Sequence, residues 1–431
     1  MQTKSVKPRI VILSGIQLSG NPRVVKEADA LAEAGYEVEV VCAAPQRELQ
    51  ERDRQLREGK GWKQILLLDA GSSKWNDRAF SLFARVRFRF WGEVFARIGI
   101  SNPRQAGLVV PEMLRHCIRH PADLYIVHNP DSLWVGTELL RRGRAIGVDI
   151  EDWYSEDLLP ADRRTYPADD LRRWEGIVLR GASYATTTSR SLSCALASAY
   201  HCALPAVVYN SFSWDDRDGI DGRIRDRVDL DIPSLFWFSQ VIGSGRGLET
   251  LMDALHHTRT EFEIHLRGTS RPEYREFLLG RAPVQWRKRI HFHDQVSQGE
   301  LLSRTAEHDI GLAAEIPFCR SRALTVTNKL PLYILAGLAV LASDTDGQKE
   351  IAALSPDAVN TFRAADARSL AEAIDRLTSD RAKIRSAKEH ALALAKRSLS
   401  WEQSRPVLLD QVAHALAGRP HTLREVKNGA R

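Results

Sequence analysis

The most pointed chemistry lies in residues 308–351, HDIGLAAEIPFCRSRALTVTNKLPLYILAGLAVLASDTDGQKEI. Its pattern predicts strand, long loop, helix, short turn, strand and glycine loop. Glu315, Asn328, Lys329, Gly347, Gln348 and Glu350 fall at the ends of those elements, where a parallel sheet places its ligand site. An apolar helix opened by Thr-Asn-Lys offers N–H groups without internal partners and a positive dipole end. Lys329 adds a full charge, and Gly347 lets backbone approach a phosphate closely. Together these residues read as a holder for an anionic ligand.

A second glycine-rich loop, 243–247, carries Arg246 and Gly247 at the start of a predicted helix. In the first half, Gly20 and Arg23 follow the first strand in a Gly-Asn-Pro-Arg loop. His128 ends a buried strand, and Glu151-Asp152 ends another beside an aromatic pair. Asp344-Thr345-Asp346 looks like a metal-binding Asp-x-Asp, but paired aspartates are ordinary turn formers. His291 and His293 alternate on a strand and could chelate a cation. No third ligand is evident, so they are read as core or surface histidines and no metal site is expected.

Two parallel sheets are needed to position these groups. At 431 residues the chain suits two domains of about 200 residues each. Strands are predicted at 9–13, 38–42, 65–68, 124–127, 146–150, 184–187 and 207–209, with an amphipathic helix over 24–34. That is a βαβ start with a right-handed crossover. A second series has strands at 235–238, 263–266, 290–292, 310–313 and 339–342, and helices at 248–256, 298–306, 330–336 and 367–378. The expected architecture is α/β: an N-terminal Rossmann-like domain (1–211), a polar connection (212–232), a C-terminal Rossmann-like domain (233–398), and a final helix with tail (399–431). Two doubly wound domains would set a cleft at their strand C-terminal ends.

The composition is that of a soluble globular protein, and no window reaches the roughly 18 apolar residues of a membrane span. The N-terminus reads as a first strand, not a signal peptide. Five scattered cysteines without ligand spacing read as idle thiols in a reducing cytosol. A net charge of +6 favours anionic partners, and composition alone leaves nucleotides, phospholipid surfaces and nucleic acid open.

In order and spacing, SGNPRVVKEADALAEAGYEVEVV (19–41), YIVHNPDSL (125–133), VDIEDWYSED (148–157), Tyr209-Asn210-Ser211, GSGRGLETLMDAL (243–255), HFHDQVSQGEL (291–301) and the 308–351 stretch resemble the GT-B fold retaining glycosyltransferases. The resemblance covers most of the chain. It implies a nucleotide-diphosphate sugar donor held by the C-terminal domain, an acceptor held by the N-terminal one, no cofactor, and a final helix at Ser400-Trp401-Glu402 crossing back. It places Arg246 and Lys329 on the donor diphosphate and Gly347, Gln348 and Glu350 in a loop around phosphates and sugar. His128, Glu151 and Asp152 fall on the acceptor side, and Arg23 with Gly20 faces phosphate or acceptor. Retaining transfer breaks the sugar–phosphate bond first, so charge on the departing diphosphate must be stabilised, which guanidinium, ammonium and helix-end N–H groups can do without a metal. The setting implied is bacterial surface polysaccharide assembly in the cytoplasm.

The chain departs from the family at telling points. Two glutamates eight apart, expected on sugar and ribose, fall on Leu324 and Leu332. A basic residue expected five before Arg246 is Val241, and the N-domain Asp-x-His is Asp149-Ile150-Glu151. Glu315 is the candidate for partial compensation. Two rivals stay open: a glycosyltransferase-like binding or scaffold subunit without turnover, and a sugar-nucleotide epimerase using Glu151, Asp152 and Glu315.

One further stretch, LFARVRFRFWGEVFARI (82–98), interleaves arginines with aromatics. That combination suits an anionic membrane interface at the inner face of the plasma membrane. It equally fits an amphipathic helix with core aromatics and solvated arginines. In the first case the acceptor would be lipid-linked. Nucleic acid is not among the expected partners.

Overall fold

The computed structural model describes residues 7–158, 166–227 and 229–418. It divides into two compact units. The first holds residues up to 187, 193–206 and the chain from 405; the second holds 188–192 and 207–404.

The first unit has a parallel sheet of β1 (Arg9–Leu13), β2 (Glu37–Ala44), β3 (Lys63–Asp69), β4 (Leu124–His128), β5 (Ile146–Ile150), β6 (Tyr184–Thr187) and the short β7 (Ala206–Val207). Its spatial order is β3-β2-β1-β4-β5-β6-β7. β1, β4 and β5 are apolar and buried almost throughout, as strands covered by helices on both faces must be. The order reverses between β1 and β4, which leaves a crevice beyond their carboxyl ends.

The second unit repeats the plan with β8 (Ser234–Ile242), β9 (Glu263–Ser270), β10 (Ile290–His293), β11 (Ile310–Ala313), β12 (Ala339–Ser343) and β13 (Val359–Phe362). Its order is β10-β9-β8-β11-β12-β13, so the switch falls between β8 and β11. Alternate residues of the strands feed two cores. Leu235, Trp237, Ile264 and Leu266 pack on one face, and Phe236, Val340 and the helix Lys329–Ala336 on the other.

Two readings differ from expectation. The segment 212–232 is expected as an interdomain connection, yet its described residues belong to the second unit and are fastened to it by charge. Asp221 meets the buried Arg304 at 2.7 Å, Arg225 meets Glu300 at 2.8 Å, and Asp226 pairs with Arg267. The final helix, Trp401–Ala417, starts in the second unit and continues into the first from Arg405, which pairs with Glu33 at 3.0 Å. The tail expected beyond it (419–431) lies outside the described residues. Second, β13 and the helices Pro272–Arg281 and Arg381–Leu394 lie outside the expected elements: β13 is four residues long, Arg381–Leu394 buries mostly alanine and leucine in a charged sequence, and Pro272–Arg281 buries Leu278 while Phe277 stays exposed.

Candidate functional site

In the second unit, three loops meet at the carboxyl ends of β8, β11 and β12. The loop after β8 ends at Gly247, whose φ is +79° and where a Cβ would stand 2.3 Å from the Ala314 carbonyl oxygen. Only glycine serves there, since it alone tolerates both the left-handed backbone and the close approach. The contact ties the Arg246 loop to the chain leaving β11. Arg246 itself is exposed, and among the described residues no hydrogen bond or ion pair engages its guanidinium.

After β11, Glu315 is partly buried and accepts from Lys329 Nζ at 2.8 Å and from Thr327 Oγ1 at 3.2 Å. Burial pushes the Glu315 carboxyl up, but the Lys329 ammonium outweighs it and holds the group below its ordinary value. Lys329 also lies 5.7 Å from the Trp237 ring centroid, so its ammonium is pinned from two sides at the start of the helix Lys329–Ala336. Asn328, exposed, precedes it. Lys329, Glu315, Arg246 and Gly247 are therefore brought to one switch point.

Gly347, Gln348 and Glu350 are placed differently from expectation. They form the first turns of the helix Asp346–Leu354, capped by Thr345, and not a loop around phosphate. A Cβ on Gly347 would lie 2.6 Å from the carbonyl oxygens of Leu324 and Thr325, so this glycine serves backbone packing. Gln348 is buried and donates to Ser343 Oγ at 2.7 Å, which in turn donates to the Glu315 carbonyl at 2.8 Å. Glu350 accepts from the backbone N–H of Arg190 and Ser191 at 2.9 and 3.0 Å and from the Tyr209 hydroxyl at 2.5 Å. Its carboxylate caps the helix Arg190–Tyr200. Asp344 accepts from the Ala364 N–H and Asp346 pairs with Lys349, both turn roles. Leu324 and Leu332 are both buried; a carboxylate at either position would need its own buried partner.

In the first unit, the crevice beyond β1 and β4 is floored by a buried ionic cluster. Arg23 grips Asp149 through Nε at 2.5 Å and through a second nitrogen at 3.1 Å. His128 has no exposed surface, and it meets Glu27 through Nε2 at 2.5 Å and Glu151 through Nδ1 at 3.3 Å. Burial alone would keep His128 neutral, but Glu27, Glu151 and Asp149 together push it up to about 10, so the ring is an imidazolium. The expectations that His128 touches a substrate and that Arg23 faces a phosphate are corrected accordingly: both hold up the crevice from beneath. Gly20 is exposed in a short 3-10 turn, and a Cβ there would meet only Ile16 at 3.9 Å.

Glu151, partly exposed, accepts from Asn21 Nδ2 at 2.8 Å, with Asp152 half-buried beside it. Their loop is anchored from below by Glu175, which accepts from Ser155 N at 3.0 Å and from Tyr200 at 2.5 Å. Burial pushes the Glu175 carboxyl up to about 7 despite those donors.

Reading the sequence missed Asn129 and Asp131. Asn129 takes φ +64° at the β4-to-helix joint and accepts from Ser14 Oγ at 3.0 Å, locking two loops together. Asp131 is buried under Gly15, is pushed up to about 7 by burial, and has one carboxylate oxygen without a partner. The signal for both was the His-Asn-Pro-Asp run, a polar start to a helix directly after a buried strand.

No family model matches the sequence, and no curated protein matches it. Solved structures do match. Sucrose-phosphate synthase from Thermosynechococcus elongatus superposes with a TM-score of 0.70 at 14% identity, over 96% of this chain and 100% of that one. HepE from Anabaena, in complex with UDP, gives 0.66 at 15% identity over 94% and 99%. A Listeria monocytogenes protein assigned as UDP-N-acetylglucosamine 2-epimerase gives 0.56 at 12% identity over 96% and 99%. The fold they share with this chain is GT-B, two Rossmann-like parallel-sheet domains.

Proposed function

We propose that the chain is a glycosyltransferase that takes a sugar from a nucleotide-diphosphate donor and passes it to a glycan or lipid-linked acceptor, with retention and without a metal at the donor. The observation that carries this reading is the pair of cations at the β8/β11 switch point. Arg246 stands exposed on a glycine-rich loop, and Lys329 is fixed at a helix start by Glu315 and Trp237. A diphosphate leaving group gains negative charge as its bond to the sugar breaks. A guanidinium, an ammonium and helix-end N–H groups held in place before the reaction stabilise that charge without reorganisation. HepE was solved with UDP, which agrees with a nucleoside diphosphate at this crevice. Glu151, Asp152 and Gly20 are proposed on the acceptor side. Bacterial surface polysaccharide assembly is the proposed setting.

The test is a panel of nucleotide sugars, with nucleotide release followed in the presence of membrane extract as acceptor source. Release that depends on one donor and on extract supports transfer. Binding without release points to a non-catalytic binding subunit, and interconversion of the donor sugar to an epimerase, a reaction this fold also hosts if the Listeria assignment holds. Arg246→Ala is expected to weaken donor binding about 10- to 100-fold, since hydrogen bonds to charged groups contribute about 1.5–3 kcal/mol. Its thermal midpoint should not move, because the side chain supports nothing else. Lys329→Ala is a poorer probe, as it strands Glu315 without its counter-charge.

The helix Trp75–Ile98 gives the proposal its second part, contact with an anionic membrane and a lipid-linked acceptor. At about 100° per residue, Trp75, Leu82, Phe83, Val86 and Phe90 share an arc of about 100°, and all five are more than half exposed. Arg78, Arg85 and Arg89 are exposed along one border of that arc. Ser81 and Ala84, on the other side, are the buried positions. This is an apolar face with a basic edge, the form of an interfacial helix, while no described helix is long and apolar enough to cross a membrane. Flotation with phosphatidylglycerol vesicles should recover the protein. Neutral vesicles, high salt or a Leu82→Glu/Phe90→Glu variant should lose it. A dimer in solution that the same variant dissolves would instead assign the face to a second copy.

A further inference from the structure

The paired edge strands of the second unit carry an unusual set of side chains. His265 on β9 lies directly opposite His291 on β10, and Glu263 precedes His265 by two residues on the same face. His293 and His308 complete a stack, with ring centroids 5.2 and 4.6 Å from that of His265. His308 in turn stacks on Phe236 at 4.5 Å.

The surrounding acceptors favour one arrangement of protons. Asp226, already paired with Arg267, can only accept, which favours a proton on the His293 Nδ1 facing it at 3.5 Å. His293 Nε2 then has the lone pair and accepts from His265 Nδ1 at 3.0 Å. That leaves His265 Nε2 with a lone pair aimed at the Glu263 carboxylate, 3.4 Å away. His291 Nε2 faces the other oxygen of Glu263 at 3.6 Å and has no hydrogen-bond partner among the described residues. A lone pair facing a carboxylate repels it unless a cation sits between them.

We propose that Glu263, His265 and His291 bind a divalent first-row transition-metal ion of the zinc class. One ligand atom from each lies within 4.8 Å of the others. Bonds of about 2.0–2.1 Å in a tetrahedral site put neighbouring ligands roughly 3.3 Å apart; here each imidazole faces its own oxygen of Glu263, at 3.4 and 3.6 Å. Imidazole with carboxylate suits zinc, cobalt or nickel over calcium or magnesium. His293 and Asp226 form the outer shell that holds the His265 ring and its tautomer. The His291 side chain is 31% exposed, although its Nε2 is itself buried. The site lies at the amino ends of the strands, away from the crevice at their carboxyl ends. Its consequence is to tie edge strand β10 to β9, independently of any transfer reaction. His291 was read from sequence as a bystander for want of further ligands; the sheet register supplies them.

The test uses the full chain, stripped with chelator and dialysed, then titrated with Co²⁺ and competed with Zn²⁺. One equivalent of Co²⁺ with visible d–d absorption, displaced by one Zn²⁺, together with a rise in thermal midpoint, is the expected result. His291→Gln, at a partly exposed position that should leave the fold intact, should weaken binding by more than the ~10–100-fold that loss of an outer partner costs. Glu263→Gln should do the same and His293→Gln should fall in that outer range. No absorption and no midpoint shift at a hundredfold excess of metal would overturn the proposal. So would stoichiometric binding unchanged in His291→Gln and Glu263→Gln.

Discussion

Replacing Asp149 with asparagine is expected to destabilise the first unit by about 3–5 kcal/mol, the usual result of stranding one partner of a buried ion pair. Asp149 holds both the Nε and a terminal nitrogen of Arg23, and its own side chain is nearly inaccessible. An asparagine of the same shape keeps the packing but puts a neutral amide in place of the carboxylate against a guanidinium buried at 7% exposure. Urea unfolding followed by tryptophan fluorescence should show an earlier first transition, while nucleotide affinity, which the proposed function assigns to the second unit, stays near wild type. A midpoint unchanged within error would show that the cluster contributes little.

The same cluster sets a pH dependence. Burial opposes the charge on Asp149, but Arg23 and His128 outweigh it and hold the carboxyl below its ordinary value. Its contribution is therefore present above about pH 4 and is lost as pH falls below that. His128 is raised to about 10, so its contribution is complete below about pH 6.5 and drains away as pH climbs toward 10. The contribution of this cluster should be greatest between those limits. Substituting His128 with glutamine should flatten the alkaline limb and, because His128 also helps to hold Asp149 down, weaken the acid one while Arg23 preserves part of it.

Gly247→Ala is the second large effect. The left-handed backbone costs an L-residue about 1–2 kcal/mol, and the added methyl would press into the Ala314 carbonyl from 2.3 Å. Overpacking of that kind costs about 1–3 kcal/mol, so the second unit should lose about 2–5 kcal/mol in all. Relief of the clash would move the Arg246 loop away from β11, so nucleotide affinity should fall with it. Gly20→Ala is the matched control: with open space around it, it should change stability by no more than about 0.5 kcal/mol. Calorimetric titration with nucleoside diphosphates and thermal melts of both variants decide the matter. Equal behaviour of the two would remove the steric argument for Gly247.

The sequence by itself determined much of this protein. Buried runs such as Arg-Ile-Val-Ile-Leu and Ala-Val-Leu-Ala-Ser can only be strands of a parallel sheet, and helices at regular spacing complete two doubly wound units. Lys329 at a helix start and Arg246 on a glycine loop were legible because those features are local. What tertiary structure decided is which polar residues are spent. Nothing near His128 in sequence reveals that Glu27, 101 residues earlier, occupies its ring nitrogen. Nothing near Glu350 reveals that Tyr209 and the Arg190 backbone claim its carboxylate. The register that sets His291 against His265 is likewise a property of two strands, not of either one. Local pattern fixes where a side chain starts. Partners brought from far along the chain fix whether its charge is left over for a ligand, because in a buried site every charge must be matched by something.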